Sequence, residues 1–340
     1  MSSTLQQLDS PWPHRLAMVL CCATFPLIWV GGLVTTYDAG MAVPDWPSTY
    51  GYNMFLYPWQ SWVAAPWDLF IEHGHRLLGA LVGVLTLAFV ASVFLRDRRV
   101  WMKTVACFAL GAVIGQGLLG GARVVLDARQ IAMIHGCFGP FFFAFTVALC
   151  VFTSRLWKQS GTTDHLAAER VDSKRLLRNS FLLVAFVYLQ LILGANLRHI
   201  AVDASPSAFR VTVLFHLLFA GVVALTAVNL WLTVWKQQPI RRYLLWPATV
   251  ICLLVVIQIA LGGGTWIVKY AWPGWATDLG WGVSHVVQAN SLSQSITVTS
   301  HVAVGSLILA VATLIAIRSF RLVPARPFDP WLVAGVEAVA

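Results

Sequence analysis

The chain has 340 residues, of which 58% are hydrophobic and 11% charged, and its mean hydropathy is +0.73. This composition excludes an ordinary soluble domain, which carries more charge and less apolar surface. The net charge of +9 could suit a nucleic-acid-binding protein. The cations, however, flank apolar segments, so no nucleic-acid partner is predicted and the lipid bilayer is the expected environment.

Apolar windows of about 20 residues, the length that a helix needs to cross a bilayer, recur along the whole chain. The eight predicted spans are 16–37, 70–95, 101–122, 130–153, 177–197, 210–235, 243–266 and 297–318. The sequence therefore predicts an all-α polytopic membrane protein. The polar inner segment 154–176 divides it into two halves, and the apolar end of the tail is too short to span.

The distribution of basic residues predicts the orientation. If the N-terminus is inside, 17 of the 23 Lys and Arg residues lie in inner segments and Arg76 lies within a span. The outer segments hold the other five, which are Arg123, Arg129, Arg198, Arg210 and Lys269. By the positive-inside rule both termini are cytoplasmic. All six cysteines fall within predicted spans, so no outer disulfide is expected.

Two outer loops are rich in aromatic residues. The loop 38–69 carries many Pro, Trp and Tyr residues and is predicted to fold over the membrane surface as a cap, although an interfacial aromatic belt is the simpler explanation. The last outer loop, 267–296, holds three tryptophans and is long enough to lie over the second half.

The odd-numbered spans share a motif in which Gln is followed by Gly four residues later. It occurs as Gln116 to Gly120, Gln190 to Gly194 and Gln258 to Gly262, and the first span has the degenerate form Ile28 to Gly32. A repeat of this kind indicates that the two halves share an architecture.

The even-numbered spans each carry a histidine in their first two turns, about 6 to 10 Å from the outer end at 1.5 Å per residue. His75, His135 and His301 are followed four residues later by Gly79, Gly139 and Gly305, and His216 is followed five residues later by Gly221. Residues four apart share a helix face, so a flat macrocycle could lie beside each imidazole. Close packing of helices in lipid would explain any single glycine equally well.

Two imidazoles from facing helices can clamp the iron of a haem. Pairing by half gives His75 with His135 and His216 with His301, which predicts two haem sites. A single membrane histidine is more often a hydrogen-bond donor between helices. A zinc or copper site would need further ligands, and only Glu72 and Cys137 lie nearby in sequence.

Glu72 distinguishes the first half, because no acidic residue precedes the other three histidines at the same offset. It lies three residues before His75, on one helix face. The carboxyl group could face a porphyrin and relay a proton, or it could serve the helix macrodipole. His73 is expected in a loop or at the interface. Arg76 lies off the ligand face but could reach a carboxylate.

The outer arginines are candidates to pair with haem propionates, although contact with lipid headgroups explains each of them equally well. They are Arg123, Arg129, Arg198 and Arg210. His199 and His285 lie in outer loops and are assigned no role.

These residues together resemble the COX15/CtaA family of haem A synthases. The similarity runs through Gly31-Gly-Leu-Val-Thr35, Ala42-Val-Pro-Asp-Trp-Pro47, Glu72-His-Gly-His-Arg76, Gln116-Gly-Leu-Leu-Gly-Gly121 and Thr297-Val-Thr-Ser-His301. One feature departs from the family: some members have a cysteine pair in the first outer loop, and residues 38–72 contain no cysteine.

The resemblance implies eight helices arranged as two pseudo-symmetric four-helix bundles in the inner (plasma) membrane. Residues 1–153 would bind substrate haem O near His75 and His135, and residues 177–318 would bind haem b through His216 and His301. An inner linker, 154–176, and an inner tail, 319–340, complete the chain. The implied reaction oxidises a haem O methyl group to the formyl group of haem A by successive hydroxylations.

In that reaction Glu72 would be the essential acid. The family also implies possible contact with haem O synthase and with cytochrome oxidase assembly, whereas the electron donor is not specified. The main alternative is a dihaem electron-transfer subunit, which would usually place its haems near opposite membrane faces. A haem transporter would bind and release haem unchanged. A prenyltransferase would need paired acidic clusters that this sequence lacks.

Overall fold

The computed structural model describes residues 10–159, 173–201 and 203–322. Its eight long helices are α1 (Trp12–Thr36), α2 (Trp67–Arg96), α3 (Val100–Val125), α4 (Arg129–Thr153), α5 (Ser173–Arg198), α6 (Pro206–Lys236), α7 (Gln238–Tyr270) and α8 (Leu292–Leu322). Each is long and apolar enough to cross a membrane. The prediction of an all-α polytopic membrane protein with eight spans is confirmed.

Most helices are longer than the spans that hydropathy predicts. The seventh span was placed at 243–266, whereas α7 runs from Gln238 to Tyr270. Hydropathy marks the part of a helix in the hydrocarbon, but the backbone continues its hydrogen bonding into the interface. For the same reason α5 begins within the predicted linker 154–176, and α8 extends into the predicted tail 319–340 as far as Leu322. Residues 160–172 and 323–340 lie outside the described residues.

The helices of each half pack in a ring. In the first half α1 contacts α2, α2 contacts α3, α3 contacts α4 and α4 returns to α1. The second half repeats this order from α5 to α8. The two rings meet where α8 packs against α4 and α1, and where α4 contacts α5. The arrangement of the halves as two pseudo-symmetric four-helix bundles stays a prediction.

Both rings enclose an apolar core on the inner side of the histidines. In the first ring it includes Leu20, Phe89 and Leu149, all fully buried. In the second it includes Leu230 and Ile315. Packing of such side chains, together with intrahelical hydrogen bonds, holds membrane helices in fixed positions.

The first outer loop has a defined conformation. It contains a 3-10 turn at Ala39–Met41, a two-stranded antiparallel hairpin of β1 (Ser48–Thr49) and β2 (Tyr52–Asn53), and a short helix at Trp59–Val63. The hairpin turns at Tyr50 and Gly51, with φ of 50° and 79°. Positive φ at both central residues gives the twist that joins antiparallel strands, and it favours glycine.

The carboxylate of Asp45 holds this turn by accepting the backbone N–H groups of Tyr50 and Gly51, each at 2.8 Å. Desolvation opposes ionisation, but these bonds and one from the Ser48 hydroxyl keep the pKa of Asp45 below its usual value. Hydrogen bonds within the loop itself therefore hold this turn.

The last outer loop contains a short helix at Gly274–Asp278 and a cluster of tryptophans. The ring of Trp281 lies 6.3 Å from that of Trp272 and 6.1 Å from that of Trp275. Two hydrogen bonds tie this region to α7. The Ile267 carbonyl accepts from His285 of the loop, and the Val268 carbonyl accepts from Gln294 in the first turn of α8. The inner linker begins with a short helix at Arg155–Gln159.

Candidate functional site

The structure brings the four membrane histidines together in two pairs, which are the pairs expected from the sequence. The rings of His75 on α2 and His135 on α4 have centroids 6.3 Å apart and planes at 86°. The rings of His216 on α6 and His301 on α8 have centroids 6.4 Å apart and planes at 73°. Two distant parts of the sequence therefore produce nearly the same geometry.

All four histidines lie in the outer part of their helices. Each is six to ten residues from the first residue of its helix, which corresponds to about 9 to 15 Å of helix rise. The hydropathy-based spans predict about 6 to 10 Å, and the difference arises because all four helices begin before the predicted spans. The common outer level is retained.

Each imidazole lies against a glycine of the preceding helix, a contact that the glycines on the histidines' own helices did not indicate. A Cβ added to that glycine would meet the ring Cε1 at 2.8, 3.0, 3.1 or 3.2 Å, for the pairs Gly31–His75, Gly120–His135, Gly194–His216 and Gly262–His301, respectively. A Cβ at Gly31 would force the imidazole to shift, and at the other three glycines the ring would have to give by a few tenths of an ångström. The Gln-to-Gly repeat was the signal that could have identified three of these contacts; Gly31 lies one residue before Gly32 of the degenerate copy.

The glycines that follow the histidines on their own helices have other surroundings. A Cβ at Gly79 or Gly221 would meet no described neighbour within 4 Å, so these positions face open space. A Cβ at Gly139 or Gly305 would lie 3.5 or 3.2 Å from the amide nitrogen of a glutamine of the preceding helix. Of the four glycines that follow the histidines, one in each half thus has bare backbone with space above it.

The glutamines of the repeat fasten the histidine-bearing turns. The Nε2 group of Gln116 donates to the backbone oxygen of His135 at 3.0 Å, and that of Gln190 donates to the backbone oxygen of His216 at 3.0 Å. One helical turn later, the glycine of the same motif receives the imidazole. The repeat therefore fixes both the backbone and the ring of the facing histidine.

The histidine pairs fit the requirements of a haem. A metal ion lies about 2 Å from an imidazole nitrogen, and that nitrogen lies about 1 Å from the ring centre, so two axial rings are about 6 Å apart. Both measured separations agree with this value. The Nδ1 atoms of His75, His135 and His301 are buried and make no hydrogen bond to any described residue. The rings thus retain unused ligating or donating capacity.

A non-haem metal fits less well. Within residues 10–159, 173–201 and 203–322, no three His, Cys, Asp or Glu side chains gather as a metal-ion site. Two imidazoles suit an iron whose other ligands come from a porphyrin, whereas a structural zinc site needs four protein ligands.

Glu72 lies at the outer edge of the first pair and is only 1% exposed. Its Oε2 accepts the backbone N–H of Val43 at 2.8 Å, and its Oε1 accepts from Arg76 Nη2 at 3.0 Å. Arg123 Nη2 lies 3.8 Å from the same Oε1. All three partners are donors, the set that an ionised carboxylate requires. That Glu72 faces a bound porphyrin stays a prediction.

Of two neighbours of Glu72, His73 differs from expectation and Arg76 agrees with it. His73 is not in a loop: it lies within α2, is 2% exposed, and its Nδ1 is 3.1 Å from Thr49 Oγ1. Its ring packs against Tyr57 and Trp62 because the outer loop folds over it. Arg76 does reach a carboxylate, that of Glu72, and also donates to backbone carbonyls of the loop.

The four outer arginines occupy unlike positions. Arg123 is close to Glu72 and half-buried. Arg198 bridges the two halves, because its Nη2 donates to the Gly32 carbonyl at 2.9 Å and to Thr36 Oγ1 at 2.7 Å. Arg129 donates to the Ile200 carbonyl, and Arg210 donates only to a carbonyl of its own helix, Pro206. Arg123 and Arg198 are therefore the two best placed to meet a carboxylate near the histidines.

A polar seam connects the two histidine pairs. Gly31 contacts the His75 ring, and a Cβ on the adjacent Gly32 would lie 2.8 Å from Thr299 Cγ2, two residues before His301. The hydroxyl oxygens of Thr36 and Thr299 are 3.3 Å apart. His199 lies near this seam, and its pKa is lowered to about 4 by burial and by the positive charges of Arg198, Arg129 and Arg123.

Comparison with known proteins identifies the relatives of this arrangement. A family model described as "Cytochrome oxidase assembly protein" (COX15-CtaA) matches residues 14–209, which include Glu72, His75 and His135 and end before His216. A protein of Symbiobacterium thermophilum named "Heme A synthase" is 29% identical over 183 residues, covering 51% of this chain and 55% of the relative.

Two further proteins with the same name are similar. The one from Shouchella clausii is 24% identical over 266 residues, covering 73% of this chain and 84% of the relative. The one from Cereibacter sphaeroides is 26% identical over 215 residues, covering 52% of each chain. The chain thus spans about half the length of the Symbiobacterium and Cereibacter relatives in these alignments.

Proposed function

Since this chain belongs to the COX15/CtaA family of cytochrome oxidase assembly proteins, we propose that it is a haem A synthase. It would oxidise the methyl group of haem O to the formyl group of haem A by successive hydroxylations. The similarity to three proteins named heme A synthase supports the activity. The observation that carries the proposal is the presence of two matched histidine pairs, of which only one has an acid and an arginine beside it.

In this proposal His75 and His135 bind haem O, and His216 and His301 hold haem b as axial ligands. When bound, haem b would supply one-electron transfer to the reaction. The chain itself supplies placement: the glycine against each ring and the glutamine on the next turn keep the imidazoles in position. Rigid placement of this kind lowers the cost of bringing the reacting groups together.

Glu72 provides the acid-base chemistry. Each hydroxylation would replace a C–H bond of the methyl group with a C–O bond, consuming dioxygen, two electrons and two protons and releasing water. A carboxyl group near the reacting carbon can relay those protons. The donors around Glu72 keep both of its oxygens in place, Oε2 on Val43 and Oε1 on Arg76. The loop that carries Val43 would exclude water from the same side.

The cations that lie close to the histidines would receive the carboxylates of the haems. Arg123 lies beside the first pair, and Arg198 lies on the seam between the pairs. Arginine pairs with carboxylates through two parallel donors, which suits a propionate. Arg129 and Arg210 are exposed at the surface and would contribute less.

The proposed setting is the inner (plasma) membrane, with both termini in the cytoplasm and both sites near the outer face. Haem O is the substrate, and contact with haem O synthase and with the cytochrome oxidase assembly machinery is proposed from the family. A dihaem subunit that carries electrons across the membrane is not favoured, because all four histidines lie at the outer level.

The test is pigment analysis. The protein is expressed with a source of haem O, the membranes are extracted, and the haems are separated by chromatography. We expect haem A with the protein and none without it. Recovery of haem b and haem O alone, from membranes with ample protein, would contradict the enzymatic proposal and favour a haem carrier.

A further inference from the structure

Arg76 makes an unusual set of contacts for a residue beside a histidine ligand candidate. Its side chain is 8% exposed. One guanidinium nitrogen, Nη1, donates to the carbonyls of Asp45 at 2.6 Å and Ser48 at 2.9 Å. The other, Nη2, donates to the Val43 carbonyl at 2.7 Å and to Glu72 Oε1 at 3.0 Å. The guanidinium group of Arg76 thus donates to four acceptors.

The contacts link Glu72 and the loop in both directions. The N–H of Val43 donates to Glu72 Oε2 at 2.8 Å, and the carbonyl of Val43 accepts from Arg76. Val43 itself is fully buried. The ion pair of Glu72 and Arg76 is therefore also the attachment point of the loop segment 43–48, which we call the wall segment.

The wall segment reaches the far side of the first histidine pair. A Cβ on Gly121 would fall within the indole ring of Trp46, so this side chain lies directly on α3. The neighbouring Gly120 contacts the His135 ring. The wall segment therefore extends from Glu72, on the helix of His75, to Gly121, the residue next to the glycine that receives His135.

Only arginine can hold this arrangement. Its planar group offers five donors in a fixed geometry, whereas lysine is a point charge that cannot satisfy separated acceptors at once. The residues that follow the other three histidines are Gly136, Leu217 and Val302. The contact set belongs to the first site and is absent from the equivalent positions of the second.

We propose that Arg76 is a positioning residue that joins Glu72 and the wall segment into one side of the first haem site; this inference rests on the proposed function. The fit of haem O and the placement of the Glu72 carboxylate are then set by the same guanidinium. Releasing Arg76 loosens both together, while the second site is unaffected.

The attachment of the wall segment can be measured without any substrate. Val43→Cys introduces a buried thiol into a loop that has no cysteine, and its reaction with a membrane-impermeant maleimide reports opening. We expect Arg76→Gln to accelerate labelling at least about tenfold, because bonds to a charged group are among the stronger ones. Arg98→Gln, at an exposed inner arginine, is the matched control, and the parent protein without Val43→Cys gives the background.

The consequence for function is measured on the full-length protein in membranes with a haem O source. Arg76→Gln should lower both the haem O retained per protein and the fraction converted to haem A, each at least fivefold, at unchanged haem b content. Arg76→Lys keeps the charge beside Glu72, so conversion per bound haem O should recover while labelling of the wall segment stays fast. Trp46→Ala should reduce haem O retention with little effect on conversion of what is bound.

Two results would overturn the inference. One is slow, wild-type labelling of Val43→Cys in the Arg76→Gln protein, and the other is normal haem O retention in that protein. Loss of haem b in parallel would show general misfolding and would also count against a positioning role. If the wild-type chain makes no haem A, the proposed function fails, but the labelling result still decides whether Arg76 holds the wall segment.

Discussion

The two histidine pairs are alike in the geometry of their rings. They differ in the charged side chains and the loop beside them. Ring separations of 6.3 and 6.4 Å, a glycine against each ring and a glutamine on the histidine backbone occur in both halves. Glu72, Arg76 and the wall segment occur only in the first. In the proposed function, the repeated residues would build a place for a haem, and the residues that are not repeated would decide what happens there.

The outer loops extend the contrast. The first outer loop is buried at Val43 and Thr49, where it meets α2. The last outer loop leaves Trp275 and Trp281 more than half exposed. Its hydrogen bonds go to the Ile267 carbonyl of α7 and to Gln294 in the first turn of α8. The site proposed to admit and act on a substrate is thus the one with a loop fastened to its acid, Glu72. This agrees with a fixed cofactor in the second half.

The largest effect should come from removing a ligand of the second pair. His301→Ala leaves His216 as a single axial ligand, so haem b per protein should fall at least about tenfold and haem A should disappear. His75→Ala should abolish haem A but leave haem b in place. The measurement is the haem b spectrum of purified protein with extracted pigments. Equal loss of haem b from both variants would break the proposed division between the halves.

The next effect tests the residue that has no copy in the second half. Glu72→Gln keeps the shape of the side chain but removes its ability to take a proton, so haem A formation should fall about 10²- to 10⁴-fold. Haem b content should not change. The control is Asp68→Asn, because Asp68 is an exposed acid in the first turn of the same helix. If both variants lose activity equally, Glu72 serves the helix macrodipole and not the chemistry.

The repeated features of the two halves could be predicted from the sequence better than the unrepeated ones. The spans were predictable because crossing hydrocarbon requires a long apolar helix. The pairs of His75 with His135 and His216 with His301 followed from equal depth on helices of the same direction. Three of the four contacting glycines were available in the Gln-to-Gly repeat, but the face of one helix that meets another depends on packing.

The surroundings of Arg76 and His73 could not be predicted. They depend on the path of the first outer loop, which is set by the turn at Tyr50 and Gly51 and by the Asp45 carboxylate. Period and hydropathy carry no information about such a path. The sequence therefore identified Glu72 as different but could not show that its partners are Val43 and Arg76.

A smaller effect should come from replacing the glycines that contact the histidine rings, because the space beside the ring differs between the two sites. A Cβ at Gly31 would be 2.8 Å from the His75 ring, whereas one at Gly262 would be 3.2 Å from the His301 ring. Gly31→Ala should therefore reduce haem O retention several-fold, equivalent to about 1–2 kcal/mol of overpacking. Gly262→Ala should reduce haem b by less than half. Gly263→Ala, where a Cβ meets no described neighbour within 4 Å, is the control, and equal losses at Gly31 and Gly263 would contradict the ring contact.

The smallest effect concerns the region between the sites, at His199. Its pKa is about 4 in the folded protein and 6.5 for an ordinary histidine, because burial and the charges of Arg198, Arg129 and Arg123 disfavour the charged ring. Between these two values the unfolded chain binds more protons than the folded one. Stability should therefore fall as the pH drops below 6.5 and stop falling on this account below about 4.

His199→Asn removes the titrating group and should make the thermal midpoint of the detergent-solubilised protein less sensitive to pH. Above pH 7 the two proteins should differ little, and at pH 5 the variant should lose about 1–3 °C less. His285→Asn is the matched control, since His285 is an exposed histidine of the last outer loop. A midpoint with the same pH dependence in both variants would mean that the arginines around the seam do not act on His199.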